Sequence, residues 1–594
     1  MHGRLASPLQ SCVGACAVAL GWLTATAPAE PPRPERADFV VTNAHVLTVD
    51  ARFRRAQAVA VRAERIVAVG SDRAVARWIG PDTRVLDGRG RTVMPGVIDS
   101  HTHAWRASVS ELDGPQPVFD SIADALQHIR AEAAHKPPGA WIVLQRVYPT
   151  RLREGRLPTK AELDTVAPVH PVLWNAGPVC VVNSKALEVS GITRDTPSPP
   201  PGEIVKDPRT GEPTGLLREA AQLLKLDTGP PKPTPAEQRA ALKHLYQLYN
   251  QHGITSIGER RGDPEVIALC RELAARGELT VRVNLTRILQ PVPRSLEEAI
   301  RQLDTFTHAP DGQRPYGPTG VGDDWVRIGP FKLWLDGGVL IGTAFMREPW
   351  GIGPTYQITD PNYRGILNVP TNLLNDLLLA AAQRGWQLTA HCAGEAATDV
   401  LLDAYEYIHR RVDIRARRFQ IIHGNFTSPE NLARCRRLGV AVDVQPAWLY
   451  KDGASLLHTL GERRMRWFLP CRTWWEHGIR LAGGSDHMIG LDSARSTNPW
   501  NPWLGMWIAL TRQTERGGVL FPSERLTREQ VIRLYTINGA WLTFDEDRKG
   551  SLEPGKLADL ILLDRDLLSC PVDAVRDTKV LLTMVGGTIV WEAR

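Results

Sequence analysis

The sequence of 594 residues contains few cysteines, and their scatter argues against a metal cluster built from thiolates. Eight cysteines occur, and six remain without the N-terminal segment, with no CxxC pair among them. We expect these six to be isolated buried thiols, although export would permit disulfides that the sequence alone does not pair. They are Cys180, Cys270, Cys392, Cys435, Cys471 and Cys570.

A strong net charge is also missing. Lysine and arginine total 71 against 65 acidic residues, a formal net charge of +6 that is spread along the chain. Binding to nucleic acid depends on concentrated positive charge. The balance therefore predicts no nucleic-acid partner.

The apolar run near the N-terminus, Val13 to Leu23, is too short to span a bilayer. It follows the positively charged Arg4 and precedes the small residues Ala27-Pro28-Ala29, an order typical of a cleaved export signal. We therefore predict a signal peptide over residues 1–29 and a proline-rich linker over 30–37. The mature protein is expected to be periplasmic or extracellular, without stable membrane insertion.

Both ends of the mature chain carry short strand patterns separated by turns. Residues 38–93 include the alternating stretch Phe39 to Ala44, and residues 550–594 include Ala558 to Leu563 and Leu581 to Val590. Neither end makes a stable core alone. We therefore predict that the two ends pack together as one small β-sandwich.

Between these ends, apolar strand patterns alternate with helical ones, which is typical of a parallel α/β architecture. Eight strands are predicted, and eight parallel strands close a barrel. The predicted fold class is α/β, a (β/α)₈ TIM barrel over residues 94–549, with an insertion at about 106–240 over its mouth and the sandwich from both termini. The strands are Thr92 to His103, Gly253 to Glu259, Leu279 to Ile288, Val326 to Asp336, Trp386 to His391, Arg418 to His423, Val440 to Gln445 and Ile479 to Asp486.

Two histidines stand two residues apart at the end of the first predicted strand. Because alternate residues of a strand face the same side, His101 and His103 can both point into the barrel. They follow the apolar stretch Val93 to Ile98. The carboxyl end of a barrel strand is where barrel enzymes place their active sites.

Two further histidines and an aspartate repeat that placement. His391 and His423 end the fifth and sixth predicted strands, and Asp486 ends the last one. Each has a structural alternative, a satisfied core histidine or, for Asp486, a helix N-cap. Four histidines at three strand ends together favour a metal site, because neutral imidazole binds zinc. Asp486 is then the carboxylate that touches the metal and takes a proton from its water.

Lys332 lies in the mostly apolar fourth predicted strand, an unusual place for a charge. Burial would lower its pKa and expose a neutral amine, which could add carbon dioxide to form a carbamate that bridges two metal ions. The alternative is an ordinary ion pair with a carboxylate such as Asp336. The residues themselves do not decide between the two.

Taken in order, these motifs resemble the amidohydrolase superfamily across nearly the whole mature chain, and in particular its N-substituted formamide deformylase branch. Val182 to Leu187 and Gly211 to Gly215 resemble the insertion of that branch. The main motifs are Pro95 to His103, Lys332 with Leu335 to Gly338, His391 to Asp399, Ile422 to Leu432, Gly483 to Gly490 and Gly550 to Asp564.

The resemblance implies a barrel with a sandwich from both termini and hydrolysis of amide-type bonds. It also implies a divalent metal, zinc above all, bound as one or two ions. The position of Lys332 matches that of a family ligand, a role that a lysine takes in its carbamylated form. The implied ligands are His101, His103, Lys332, His391, His423 and Asp486, and Asp486 is also the implied general base.

Three places depart from the family pattern. Glu395 stands where an aspartate is usual, and His487-Met488 replaces small or aromatic residues after Asp486. In the insertion, Pro178-Val179-Cys180 occupies a place where many relatives have a histidine. These departures leave the metal site intact and bear on the substrate.

The predicted function is metal-dependent hydrolysis of a non-peptide carbon–nitrogen bond in a small molecule. An esterase, lactonase or phosphoester hydrolase on the same barrel is an alternative, as is a catalytically silent binding protein. The natural substrate and the oligomeric state stay open. Candidate substrate-binding residues, chosen because they follow predicted strands or lie in adjacent loops, are Trp105, Arg260, Arg261, Trp448, Tyr450 and Trp500.

Overall fold

The computed structural model describes residues 36–226, 233–289, 293, 295–306 and 316–593. The predicted signal peptide, with Cys12 and Cys16, and the first part of the predicted linker lie outside these residues. Within them, no helix combines the length and the apolar composition needed to cross a membrane.

The described chain forms four sheets. Their strands are β1 (Phe39–Thr42), β2 (His45–Leu47), β3 (Arg55–Ala56), β4 (Ala58–Arg62), β5 (Arg65–Gly70), β6 (Arg84–Asp87), β7 (Thr92–Pro95), β8 (Val97–Thr102), β9 (Ile142–Gln145), β10 (Val172–Asn175), β11 (Val179–Val182), β12 (Glu203–Lys206), β13 (Pro213–Arg218), β14 (Ile254–Glu259), β15 (Arg282–Ile288), β16 (Val326–Trp334), β17 (Leu388–Cys392), β18 (Gln420–His423), β19 (Ala441–Val444), β20 (Leu481–Gly483), β21 (Leu560–Leu563), β22 (Val580–Val585) and β23 (Thr588–Glu592).

The strands are connected by helices and turns. The α-helices are α1 (Asp72–Val75), α2 (Ala104–Ser108), α3 (Ile122–His135), α4 (Lys160–Val166), α5 (Ser184–Ser190), α6 (Pro235–Gln251), α7 (Pro264–Ala275), α8 (Leu296–Thr305), α9 (Thr371–Gln383), α10 (Glu395–His409), α11 (Pro429–Leu438), α12 (Pro446–Met465), α13 (Cys471–Glu476), α14 (Pro502–Thr511), α15 (Arg528–Leu534) and α16 (Ile537–Leu542).

Eight parallel strands form the central sheet, in the order β8, β14, β15, β16, β17, β18, β19 and β20. The two edge strands also meet. The Asp486 N–H donates to the His101 carbonyl at 2.8 Å, and the His103 N–H donates to the His487 carbonyl at 2.7 Å. Helices separate successive strands from β14 onward. The predicted (β/α)₈ barrel is therefore confirmed.

The first predicted strand, Thr92 to His103, is two strands rather than one. β7 pairs with β2 and β21 in an outer sheet, whereas β8 pairs with β14 in the barrel. Gly96 separates them, and a Cβ at this position would lie 2.2 Å from the Thr255 hydroxyl oxygen. Glycine is needed there because the chain changes sheets in close contact with β14.

The two ends of the chain share one sheet outside the barrel. β21, β22 and β23 continue the sheet that contains β7, β2 and β3, and a second sheet has the order β5, β4, β1, β6. Phe39, Val59 and Ile66 from the second sheet share a hydrophobic core with Leu560 and Met584 from the first. The additional sheet domain of the predicted fold class is therefore present.

The segment between β8 and β14 forms its own five-stranded sheet, in the order β12, β13, β11, β10, β9. Helix α6 follows it and packs against β14. This helix begins with a capping box, in which Thr234 and Glu237 each bond the backbone N–H of the other. The chain therefore returns to the barrel a few residues before position 240.

The six cysteines of the described chain are free thiols, as expected. Five of them are buried, and Cys570 is half-buried.

A buried ion pair joins the barrel to the outer sheets. Arg282 in β15 donates from Nε and Nη2 to the two carboxylate oxygens of Asp559, at 2.7 and 3.0 Å. The Gly586 N–H donates to the same carboxylate at 2.8 Å. Both side chains are almost completely buried. Each charge therefore depends on the other for compensation.

Asp559→Ala is expected to lower the free energy of unfolding by about 3–5 kcal/mol, because it leaves Arg282 buried without its counter-charge. Asp413→Ala is the matched control, since its pair with Arg415 is exposed and its loss should have a much smaller effect. Denaturant unfolding followed by circular dichroism measures both variants. Equal effects would contradict the assigned role of the buried pair.

Candidate metal centre and active site

Four histidine rings meet at the carboxyl ends of the barrel strands. His101 lies in β8, His103 directly follows it, His391 lies in β17 and His423 ends β18. Ring centroids are 5.5 Å apart for His101 and His103, 5.1 Å for His101 and His423, and 4.5 Å for His391 and His423. The four side chains therefore form one cluster.

Asp486 lies against this cluster, just beyond β20. Its Oδ1 is 3.3 Å from His101 Nε2 and 3.5 Å from His103 Nε2. One ligand atom from each of these three residues lies within 4.8 Å of the others. Asn498 holds Asp486 in place, because its Nδ2 donates to the Asp486 carbonyl at 2.7 Å. The next α-helix along the chain is α14, so Asp486 is not a helix N-cap.

His101 is oriented by a buried carboxylate behind it. Asp443 in β19 lies 3.1 Å from His101 Nδ1, accepts from the Ser100 hydroxyl at 2.6 Å and pairs with Arg260 at 2.5 Å. The carboxylate is an acceptor, so His101 Nδ1 carries the proton and Nε2 keeps its lone pair. That Nε2 is buried and has no hydrogen-bond partner within the described residues.

His391 and His423 are oriented in a similar way. His391 Nε2 donates to the Gly337 carbonyl at 2.9 Å, and His423 Nδ1 donates to Gln445 Oε1 at 2.6 Å. Trp448 stacks on the His423 ring with centroids 4.5 Å apart. The other nitrogen of each ring, Nδ1 of His391 and Nε2 of His423, therefore keeps its lone pair.

Burial keeps all four rings neutral. It lowers the pKa of His391 to about 3 and lowers the pKa of His101, His103 and His423 well below the usual range. Neutral imidazole is the form that binds a metal. Burial has the opposite effect on the carboxyl group of Asp486, whose pKa it raises, so this carboxylate is a stronger base than an exposed one.

Lys332 faces the same cluster from β16. Burial lowers the pKa of its ammonium group, and the nearby Arg260 adds to the effect. Within the described residues, no ion pair joins Lys332 to Asp336, which was the alternative partner. The Asp336 carboxylate instead accepts three backbone N–H groups, those of Phe345, Ala393 and Gly394.

The donor set fits a divalent metal ion. The histidine cluster offers nitrogen lone pairs and Asp486 offers an oxygen within one buried site. Imidazole and carboxylate are ligands that zinc takes in proteins. A buried ring nitrogen without a partner, such as His101 Nε2, is costly, and metal binding would remove that cost.

A cavity opens from the cluster toward the insertion, with about 1000 Å³ of empty space including its mouth. Of the residues predicted to bind substrate, Trp105, Arg261 and Trp448 line it. The insertion adds Arg146, Tyr148, Ala176 and Pro178, and further apolar lining comes from Ile288, Trp334, Leu340, Ile341 and Met488.

Three other residues predicted to bind substrate do not line this cavity. Arg260 is buried beneath the cluster, where it pairs with Asp443. Tyr450 packs against helix α14, and Trp500 is buried beside helix α6. Closeness to a strand end in sequence does not determine which way a side chain points.

Two acidic residues of the site, Asp443 and Glu259, were not predicted from the sequence. Asp443 has a clear signal, because it is the one charged residue of the short apolar strand β19. Glu259 ends β14 and lines the cavity, and its Oε1 is 3.9 Å from His103 Nδ1. Burial raises the pKa of Glu259 to about 8. The position of Glu259 at the end of a barrel strand was the feature of the sequence that could have identified it as a site residue.

The residues that depart from the family pattern have distinct surroundings. His487 Nε2 donates to the Gly490 carbonyl at 2.6 Å. Glu395 begins α10 and accepts a backbone N–H. Met488 and Pro178 line the cavity. Two of these residues, Met488 and Pro178, therefore belong to the cavity wall, whereas His487 contacts the cluster through its backbone carbonyl, which accepts the His103 N–H.

The sequence profile of the Amidohydrolase family matches residues 84–591. The chain belongs to this family. It is 31% identical to the N-substituted formamide deformylase of Arthrobacter pascens over 569 residues, which cover 93% of this chain and 98% of the relative.

Solved structures share the fold. An uncharacterized metal-dependent hydrolase of Pyrococcus horikoshii OT3 superimposes with a TM-score of 0.64 at 21% identity, over 90% of this chain and 99% of that one. An adenosine deaminase of Xanthomonas campestris with bound zinc has a TM-score of 0.50 at 14% identity, over 94% and 93%.

Family membership confirms the predicted superfamily, with its deformylase-like branch, and the predicted enzyme class. That class is the hydrolases that act on carbon–nitrogen bonds other than peptide bonds. The family and the donor set together make this amidohydrolase a metal-dependent enzyme.

Asp443→Asn is expected to weaken metal binding by about 10–100-fold, because the amide has no charge to hold the His101 Nδ1 proton and to compensate Arg260. Competition with a chelator measures the affinity, and circular dichroism checks the fold. Asp403→Asn, on the exposed side of α10, is the matched control. Unchanged metal affinity in Asp443→Asn would refute the orienting role.

Proposed function

We propose that this amidohydrolase cleaves an amide-type carbon–nitrogen bond of a small molecule with the help of a divalent metal ion. The observation that carries the proposal is the convergence of His101, His103 and Asp486 at the carboxyl ends of the barrel strands. The similarity to an N-substituted formamide deformylase supports this type of bond.

The metal ion would be held by the histidine cluster and Asp486. Zinc is supported by the nitrogen-rich donor set and by the zinc bound in the Xanthomonas campestris deaminase. When bound, a divalent ion lowers the pKa of water and polarises a carbonyl oxygen. The ligands would be His101, His103, His391, His423 and Asp486, with Lys332 as a sixth in carbamylated form.

Asp486 would act as the general base and then as the general acid. It would take a proton from the attacking water and deliver it to the leaving nitrogen, because an amine leaves poorly unless it is protonated. Its Oδ1 lies 3.3 Å from His101 Nε2 and 3.5 Å from His103 Nε2, so the carboxylate stands beside the atoms that would hold the metal ion and its water. Asn498 would keep the carboxylate pointed at the cluster.

The proposal includes a carbamate on Lys332. The side chain lines the cavity and forms no ion pair within the described residues. Attack of the neutral amine on carbon dioxide forms one N–C bond and releases one proton. The carbamate would offer two oxygens that share one negative charge, and these could help to hold a second ion. A measured content of two metal ions per chain would support the carbamate.

The cavity wall supports an apolar substituent on the substrate. Trp105, Trp334 and Trp448 present aromatic surface to the cavity, and Ile341 and Met488 present aliphatic surface. Burying such a substituent against these side chains would contribute to binding in proportion to its apolar area.

Export remains a proposal from the sequence. If residues 1–29 are a signal peptide, the protein recovered from the periplasm or medium of its host should begin at Glu30. Sequencing of its N-terminus measures this. An intact N-terminus on protein confined to the cytoplasm would contradict export.

Asp486→Asn is expected to lower kcat/KM for a formamide by a factor of about 10² to 10⁴ while most of the metal stays bound. The asparagine keeps the size and one oxygen, but it cannot accept a proton near neutral pH. Kinetics and metal analysis on the same preparation measure both effects. Near-normal rates would refute the base role, and complete metal loss would make Asp486 chiefly a ligand.

The type of bond is tested with the metal-loaded wild-type enzyme. Formamides and other N-acyl compounds are compared with esters, lactones and phosphoesters of matched substituents. Faster turnover of the amides is expected. Turnover of the oxygen esters alone would replace the proposal with an esterase or phosphoesterase.

A further inference from the structure

Two arginines of the cavity have no anionic partner within the described residues. Arg106 lies in helix α2 just after the His101 and His103 pair, and Arg146 directly follows β9 of the insertion. Neither guanidinium group makes a hydrogen bond or an ion pair with another described residue. The third arginine of the cavity differs, because Arg261 Nε donates to Asp263 at 2.8 Å.

The local structure makes room for the guanidinium group of Arg146. Gly177 lies beside it, and a Cβ at this glycine would be 2.6 Å from Arg146 Nη1. Arg146 itself has a φ of 57°, in the left-handed region that residues with a side chain rarely adopt. Its Nε is buried and has no hydrogen-bond acceptor within the described residues. Features of this kind cluster at ligand sites, where function maintains them.

The two guanidinium groups are close enough to affect each other. Arg106 is exposed at its surface, and partial desolvation together with the charge of Arg146 lowers its pKa to about 10. Both arginines line the same cavity as His103, His391 and His423. The pair therefore faces the space next to the histidine cluster.

The nearby acidic residues Glu219 and Glu259 form no ion pair with these two arginines. Glu219 is influenced by Arg146 but forms no ion pair with it, and burial raises the pKa of Glu219 to about 7. Glu259 accepts backbone N–H groups from Trp105 and Arg261. Arg106, which is exposed, and Arg146, which is half-buried, therefore both face one cavity without an ion-pair partner among the described residues, an arrangement that an anion would stabilise.

We propose that Arg106 and Arg146 bind a carboxylate group of the substrate, beside the amide bond that lies at the histidine cluster. A planar guanidinium pairs with a carboxylate through two parallel hydrogen bonds, which fixes the orientation of the substrate. The substrate class is an amide with one apolar substituent and one carboxylate. This inference rests on the proposed amide hydrolysis and specifies its substrate.

Two formamides that differ only in the carboxylate test the inference: N-formyl-phenylalanine and N-formyl-phenethylamine. The metal-loaded wild-type enzyme is expected to have a kcat/KM at least about 10-fold higher for N-formyl-phenylalanine. A ratio of about 10 corresponds to the free energy that one hydrogen bond between charged groups contributes. Arg106→Gln and Arg146→Gln should each reduce that preference by about 10-fold. Arg472→Gln is the matched control, because this exposed arginine pairs with Glu476 on the outside of helix α13.

Equilibrium binding separates failure of this inference from failure of the proposed function. Calorimetry with the same two compounds and the metal-loaded enzyme detects the carboxylate site even if neither compound is hydrolysed. Tighter binding of N-formyl-phenylalanine that is lost in Arg146→Gln supports the inference without turnover.

Two results would overturn it. One is the absence of any preference for the carboxylate in both turnover and binding. The other is a preference that survives both arginine substitutions, because the carboxylate would then contact the metal or Lys332.

Discussion

Closure of the barrel between its first and last strands is the constraint on which the active site depends. The backbone bonds between His101 and Asp486 and between His103 and His487 join β8 to the loop after β20. The Ser485 N–H adds a bond to the Asp99 carboxylate, 386 residues away in the sequence. In an open sheet, the histidine pair and Asp486 would lie at opposite edges. Close approach at this seam requires Gly484, because a Cβ there would lie 2.6 Å from His101 Cβ.

The interior of the barrel beneath the cluster is polar, and its polar residues orient a histidine of the cluster. Asp443 is completely buried, yet it bonds to Ser100, His101 and Arg260 at once. A buried carboxylate without such partners would cost several kcal/mol. The same contacts that make its burial tolerable fix the orientation of a histidine, so stability and ligand geometry are set by one network.

The barrel and the insertion contribute different parts of the active site. All the proposed ligands come from strand ends of the barrel, a scaffold shared with solved structures of low sequence identity. The insertion supplies Arg146, Tyr148 and Pro178 to the cavity wall. Membership of the amidohydrolase family therefore indicates the type of reaction at the histidine cluster. The substrate depends on the residues of the cavity wall, since function is determined by the site rather than the fold.

The sequence by itself determined the eight barrel strands, the four histidines, Lys332 and Asp486 as one candidate site. These predictions depend on short-range patterns, because apolar runs and strand ends can be read from neighbouring residues. Only the tertiary structure decided that Thr92 to His103 changes sheets at Gly96 and that Arg260 turns beneath the cluster. It also revealed that Asp443 orients His101 and that Arg106 and Arg146 share one cavity. Such facts depend on side-chain directions and on contacts between residues far apart in the chain, which are set by packing rather than by local sequence.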